Sequence, residues 1–361
     1  MNMKTFKGNN GVRVGLLLAV LSTLGGCARG KANADRDTAP GTASGAPKVA
    51  FLLSTLQEER YQKDKKYFEA KAKTLGIEAF TLSADNDNAR QLAQVEDALS
   101  RGAKVLVIQP TDSAAAASYV EKAHAKGAKV VAYDRAIKSS GLDAMVSHDS
   151  YKVGTLLAEA AIAATGGKGT FVLLEGQSGH SVALEIHRGI HAVLDPYIAT
   201  GAVRVVLEKN HDAWSPEQAL KSVEDAITKT KGDIQAIVAH NSGMARGAVQ
   251  AVRAAGLGGN AEHPVFIGGA DADAANVNDV CQGKQSVEVL KDIQPLAEKS
   301  AEVAWQMVGP GADAGVSNAG AEHGPLAIAV PVQLVTAQNA KQLLVESGFH
   351  RTDSVPACAR N

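Results

Sequence analysis

The sequence predicts an α/β protein of two similar lobes, each a parallel sheet covered by helices on both faces, with a ligand groove between them. Three observations carry this prediction. From Lys48 onward, short continuous apolar runs alternate with amphipathic helical patterns, as strands buried on both faces require. Glycines stand where the helices should stop, at Gly76, Gly102, Gly127 and Gly256, the positions at which a left-handed cap is needed. The chain also echoes itself. Residues 105–135 run strand, polar loop, helix, Gly127, strand and then Asp134; residues 236–273 repeat that order through His240-Asn241-Ser242 and Gly256 to Asp271. A length of 361 residues suits about two domains of ~100–200 residues.

The chain opens on Lys4, Lys7 and Arg13, with no acid before Asp35, followed by an apolar run over 14–24. That run is shorter than the ~20 residues that cross a bilayer, and it fits the core of a signal peptide. It ends in Leu24-Gly25-Gly26-Cys27, which resembles the lipobox of bacterial lipoproteins. The resemblance implies that residues 1–26 are removed and that Cys27 becomes a lipidated first residue, anchored to a bacterial membrane on its periplasmic or cell-surface side. The stretch 28–46 holds almost no large apolar side chain and cannot bury enough surface to fold, so 27–47 is expected to be a lipidated Cys and tether.

Strands are expected at 49–54, 77–82, 105–109, 130–133 and 144–147, then at 169–174, 203–208, 236–239, 265–268 and 286–290. Helical patterns fall between them at 59–75, 91–101, 114–126, 152–164, 216–229 and 245–255. Two βαβ halves of this kind place a ligand where the carboxyl ends of the two sheets face each other.

Composition narrows the function. Charged residues make up 21% and hydrophobic ones 45%, which describes a globular chain. The formal net charge is −1, and it becomes −4 without the leader, whose three positive residues have no acidic counterpart. Nucleic acid, which needs clustered Lys and Arg, is therefore not an expected partner. No cofactor motif is present, since the Gly256-Leu257-Gly258-Gly259 run follows a helix rather than a strand. His187 and His191 are four apart, yet no acidic partner that completes a ligand set is read from the sequence, so no metal site is expected. Cys281 and Cys358 form either a disulfide, as an oxidising compartment allows, or two free thiols.

Strand-end loops supply the side chains that a small polyol needs. Hydroxyls both donate and accept, and their carbon skeleton offers a weakly apolar face. Ionised acceptors, bidentate donors and an aromatic wall are the matching groups. Arg60, Asp134, Arg135, Asn241, Asp271 and Lys291 are of these types, with Trp214 as the wall.

Several segments resemble the xylose-binding proteins of bacterial sugar ABC transporters. They are Glu59-Arg60-Tyr61-Gln62-Lys63-Asp64, Ala132-Tyr133-Asp134-Arg135, Asp212-Ala213-Trp214-Ser215-Pro216-Glu217, Gly269-Ala270-Asp271-Ala272-Asp273 and Ser347-Gly348-Phe349-His350. The resemblance runs from about Lys48 to His350 with the motifs in order. It implies two Rossmann-like lobes joined by a three-segment hinge, the type I periplasmic binding protein fold, with crossings near 147–152, 291–294 and 328–331. By this reading 48–150 with 293–328 form the N-terminal lobe, 151–292 with 329–350 form the C-terminal lobe, and 351–361 are a tail.

The same resemblance implies that Arg60, Asp134 and Arg135 bind sugar hydroxyls from one lobe. Asn241, Asp271 and Lys291 would do so from the other, while Trp214 stacks and Tyr61 stands where the family commonly has Trp. The chain departs from the family at His180-Ser181-Val182-Ala183, where an Asp-Asn-Asn-Ala stretch is expected. An imidazole and an isopropyl group replace a carboxylate and an amide, which implies a ligand with a different hydroxyl pattern from xylose. The expected role is a monomeric, non-enzymatic receptor that delivers a monosaccharide to an ABC permease. The alternatives are a sensor presenting the same sugar to a membrane receptor or kinase and, remotely, a serine hydrolase built on Gly176-Gln177-Ser178-Gly179-His180.

Overall fold

The computed structural model describes residues 45–258, 264–310 and 325–360; Cys27, the leader and most of the tether lie outside the described residues. In chain order the elements begin β1 (Lys48–Leu53), α1 (Glu59–Thr74), β2 (Glu78–Ser83), α2 (Asn88–Ser100), β3 (Val105–Ile108), α3 (Ala117–Ala125), β4 (Lys129–Tyr133) and β5 (Ala144–His148). They continue with α4 (Ser150–Thr165), β6 (Gly169–Glu175), α5 (Ser181–Ala199), β7 (Val203–Asn210), α6 (Pro216–Thr230), β8 (Ala236–Ala239) and α7 (Ser242–Ala254). Then come β9 (Phe266–Ala270), α8 (Ala274–Cys281), β10 (Val287–Lys291), α9 (Ile293–Val308), β11 (Leu326–Val330) and β12 (Val332–Val335).

Two six-stranded sheets result, ordered β11-β5-β4-β3-β1-β2 and β12-β10-β9-β8-β6-β7. The internal echo in the sequence is therefore a topological one, since both lobes wind their first five strands along the same path. Central strands such as β1, β3 and β8 are buried along their length, because helices cover both faces. Helix ends follow the local chemistry. Asp87, Asp149, Ser215 and Asn241 cap α2, α4, α6 and α7 by accepting a hydrogen bond from a first-turn N–H, and Pro216 adds its preset φ at the start of α6. Gly76, Gly102, Gly127 and Gly256 all have positive φ just beyond a helix, as the cap pattern predicted.

The backbone passes between the sheets at 148–150, 291–293 and 330–332. These passages are laced together: the His148 imidazole Nε2 lies 2.9 Å from the Asp292 carbonyl, and Asp149 N–H donates to the Val330 carbonyl at 3.3 Å. The third passage falls later than expected, because Ala329 and Val330 still pair with Ser147 and His148 in the first sheet. Neither β11 nor β12 was among the expected strands. Both are edges whose side chains alternate between half-buried and exposed, so they lack the continuous apolar run of a central strand. β12 is also antiparallel to β10, in contrast to the parallel pairing of β11 with β5.

Residues 351–360 are more than a tail. A short helix, Pro356–Ala359, buries Ala357 and Cys358 against α8, and a disulfide joins Cys281 to Cys358 with Cα atoms 5.2 Å apart. Among the described residues no helix is long and apolar enough to cross a membrane.

Candidate ligand-binding site

At the carboxyl ends of the two sheets, Asp134 follows β4 and Asp271 follows β9. Each donates its backbone N–H to the neighbouring strand, Asp134 to the Val146 carbonyl at 2.8 Å and Asp271 to the Val289 carbonyl at 2.9 Å. Each also has positive φ, +61° and +105°, in a region that non-glycine residues rarely occupy. Strain of this kind persists only where the surroundings hold it, and it collects at ligand clamps. Here it swings two carboxylates out of their strands and into the space between the lobes.

Arg60, in the first turn of α1, joins those carboxylates. Nη2 donates to Asp134 Oδ1 and Nη1 to Asp271 Oδ1, both at 3.2 Å, and Nε lies 3.6 Å from Asp64 Oδ2. Lys291, at the end of β10, is 3.0 Å from Asp271 Oδ1. Gln109 Nε2 donates to Asp134 Oδ2 at 3.2 Å. Burial alone would raise the Asp134 pKa, yet Arg60, Lys291 and His148 hold it well below the usual carboxylate range. Asp64 is shifted the other way, to about 6, because burial outweighs Arg60 and the hydroxyl that Tyr133 donates to it. Burial likewise pushes Glu58, at the mouth of the groove, up to about 7.

Around this clasp sit the other predicted residues. Arg135 donates through Nη1 to the Pro110 carbonyl at 3.2 Å and through Nη2 to the Tyr61 hydroxyl at 3.0 Å. Trp214 closes the short turn Asp212–Trp214, also with positive φ, and its ring lies flat on Gly176: a Cβ there would come within 2.3 Å of Cη2. Asn241 caps α7 through Oδ1. Arg60, Tyr61, Asp134, Arg135, Trp214, Asn241, Asp271 and Lys291 thus line one small inner pocket of about 10 Å³. A wider cavity of about 480 Å³, bounded by Glu58, Asn86, Trp214, Glu217, Arg246 and Asp273 among others, leads into it.

His180 is placed differently. Its Nδ1 accepts from the Trp214 indole at 2.8 Å, so its proton lies on Nε2, which faces the Thr111 carbonyl at 2.6 Å. Arg135 Nη1, 3.5 Å from the same Nε2, then makes a contact rather than a hydrogen bond. Burial, helped by the Arg135 charge, lowers the His180 pKa to about 3, so the ring is neutral. The imidazole thus fixes the indole instead of lining the inner pocket, where Val182 stands.

Sequence reasoning named neither Glu58 nor Gln109 as a site residue, and it quoted His350 within a segment without giving it a role. Glu58 lies one residue before the quoted Glu59-Arg60 motif. Gln109 lies in the loop that the internal echo had marked. The His350 Nε2 is 2.7 Å from the Ala272 carbonyl and braces the turn that carries Asp271, a role only the fold reveals.

Comparison with known proteins decides the lineage. Residues 49–312 match the family model described as periplasmic binding protein domain. The chain belongs to that family. The D-xylose-binding periplasmic protein of Haemophilus influenzae is 36% identical over 312 residues, covering 85% of this chain and 92% of that protein. Its Escherichia coli counterpart is 36% identical over 307 residues, 84% of this chain and 91% of the other. Among solved structures, an ABC transporter solute-binding protein from Clostridium phytofermentans with bound β-D-glucose superposes with a TM-score of 0.77 at 25% identity, covering 85% of this chain and 99% of that one. The fold is the type I arrangement of this family, and the chain is a binding protein, not an enzyme. Ser178 of the Gly176-Gln177-Ser178-Gly179-His180 segment lies exposed on a turn after β6.

Proposed function

We propose that this member of the family is an exported receptor, lipid-anchored through Cys27, that captures a pentose or related monosaccharide between its lobes and presents it to an ABC permease. One observation supports this reading above the others: Arg60 meets carboxylates from opposite lobes inside a pocket walled by Trp214. Ionised acceptors suit sugar hydroxyls, guanidinium and ammonium groups suit ring and hydroxyl oxygens, and an indole suits the C–H face. Asn241 has spent Oδ1 on its own helix and keeps its amide Nδ2 for a ligand.

An inner pocket of about 10 Å³ has room for about one water molecule and none for a sugar. Entry therefore needs the lobes to part about their three crossings, and a ligand touching both lobes favours their return. Val182, apolar where the resembling family carries an amide, favours a sugar with a hydrogen or methyl group at that point over one with a hydroxyl.

Calorimetry of the mature chain with D-xylose, D-ribose, L-arabinose, D-glucose and their deoxy analogues tests the reading. One of these sugars should bind with a stoichiometry of one, and Asp271→Ala and Arg60→Ala should each weaken it more than tenfold, since a charged hydrogen bond is worth ~1.5–3 kcal/mol. Unchanged affinity in both variants rejects the site. Incorporation of labelled palmitate that is lost in Cys27→Ala tests the anchor.

A further inference from the structure

We propose that the C-terminal lobe carries a divalent transition-metal site, of the zinc class, on the outer face formed by α5, β6 and β7. The sequence offered only His187 and His191, four apart on α5, with no second ligand pair to complete a site. The fold supplies that pair. Glu208 of β7 places Oε1 3.0 Å from His187 Nδ1 and 2.8 Å from His191 Nε2. Glu175, the last residue of β6, places Oε1 2.5 Å from the same His187 Nδ1. Two imidazoles and a carboxylate thus bring their donor atoms within 4.8 Å of one another, with a second carboxylate in reach.

The chemistry of the set selects the ion. Mixed imidazole and carboxylate donors suit zinc, nickel or copper, whereas calcium and magnesium prefer all-oxygen cages. Tetrahedral ligands at ~2.0–2.1 Å from zinc stand ~3.3 Å apart, so the two Glu208 contacts need to open by ~0.3–0.5 Å and the Glu175 contact by ~0.8 Å. A supporting residue is also present. Asp195 Oδ1 lies 2.7 Å from His191 Nδ1, holding that nitrogen as the donor and leaving Nε2 as the ligand. A carboxylate behind a metal-binding imidazole is the usual way such a ring is oriented. The His187 and His191 side chains are 40% and 23% exposed, which gives an ion a way in and leaves room for water as a further ligand.

The site is separate from the sugar pocket, so its test does not depend on the proposed function. Tag-free mature protein, stripped with chelator, is titrated with zinc chloride by calorimetry and by thermal shift. One zinc per chain should bind and raise the melting temperature. His191→Ala and Glu208→Gln should each weaken binding more than tenfold, and Asp195→Asn by about 10–100-fold, the usual loss for an orienting residue. Circular dichroism and the melting temperature without metal confirm that the variants fold. Absence of one-to-one binding, or equal zinc affinity in wild type, His191→Ala and Glu208→Gln, overturns the proposal.

Discussion

Ser181→Ala offers a direct test of the hinge, because it weakens lobe closure without touching the inner pocket. Ser181 belongs to the C-terminal lobe at the start of α5, yet its hydroxyl accepts the Ala136 N–H of the other lobe at 2.7 Å, and its own N–H donates to Ser113 Oγ at 3.3 Å. Only the first bond is lost on substitution, and in the open form the Ala136 N–H can turn to water. A neutral hydrogen bond contributes a net ~0.5–1.5 kcal/mol, so the closing equilibrium should fall by roughly 2–13-fold. Where the closed form is the one that holds ligand tightly, the dissociation constant rises by the same factor. Calorimetry with the tightest-binding sugar reads this change directly, and the melting temperature of each lobe without sugar should stay put. An unchanged dissociation constant, or a loss confined to the sugar-free melting temperature, would refute the reasoning.

Gly176→Ala should displace the indole that rests on this residue; overpacking of this kind costs ~1–3 kcal/mol and should appear as weaker sugar binding with altered Trp214 fluorescence. Replacing both Cys281 and Cys358 by Ser opens a loop closed across 77 residues and should cost about 2–4 kcal/mol, read as a lower urea midpoint in the absence of reductant. Dithiothreitol should bring the wild type to the same midpoint; no response to reductant would count against the bridge. The His180 pKa is lowered in the folded protein from 6.5 to about 3, so its neutral form contributes stability that is complete above pH 6.5 and is lost as pH falls toward 3. His180→Gln should therefore reduce the acid-side fall of stability between those pH values in urea titrations, and an identical pH profile in the variant would contradict this assignment.

Much of the architecture was legible because central parallel strands write themselves as unbroken apolar runs, and because helices advertise their ends with Gly. Asp134 and Asp271 were legible for the same reason, each a charge directly after such a run. What escaped depended on partners distant in sequence. β11 and β12 gain their strand character from β5 and β10, not from their own half-exposed residues. His180 could be named, but its two ring nitrogens are committed to Thr111 and Trp214, 69 and 34 residues away. The acidic neighbours of His187 lie 12 and 21 positions off and meet it only because β6 and β7 pair beside α5.

The triple passage of the backbone has a consequence for how the molecule is made. The first sheet takes its edge strand β11 from near the end of the chain, and α9, which packs on α1, is laid down only after five of the six strands of the other sheet. A chain emerging N-terminus first cannot finish its first lobe until residue 330 has appeared. Until then an open edge beside β5 stays available for mispairing.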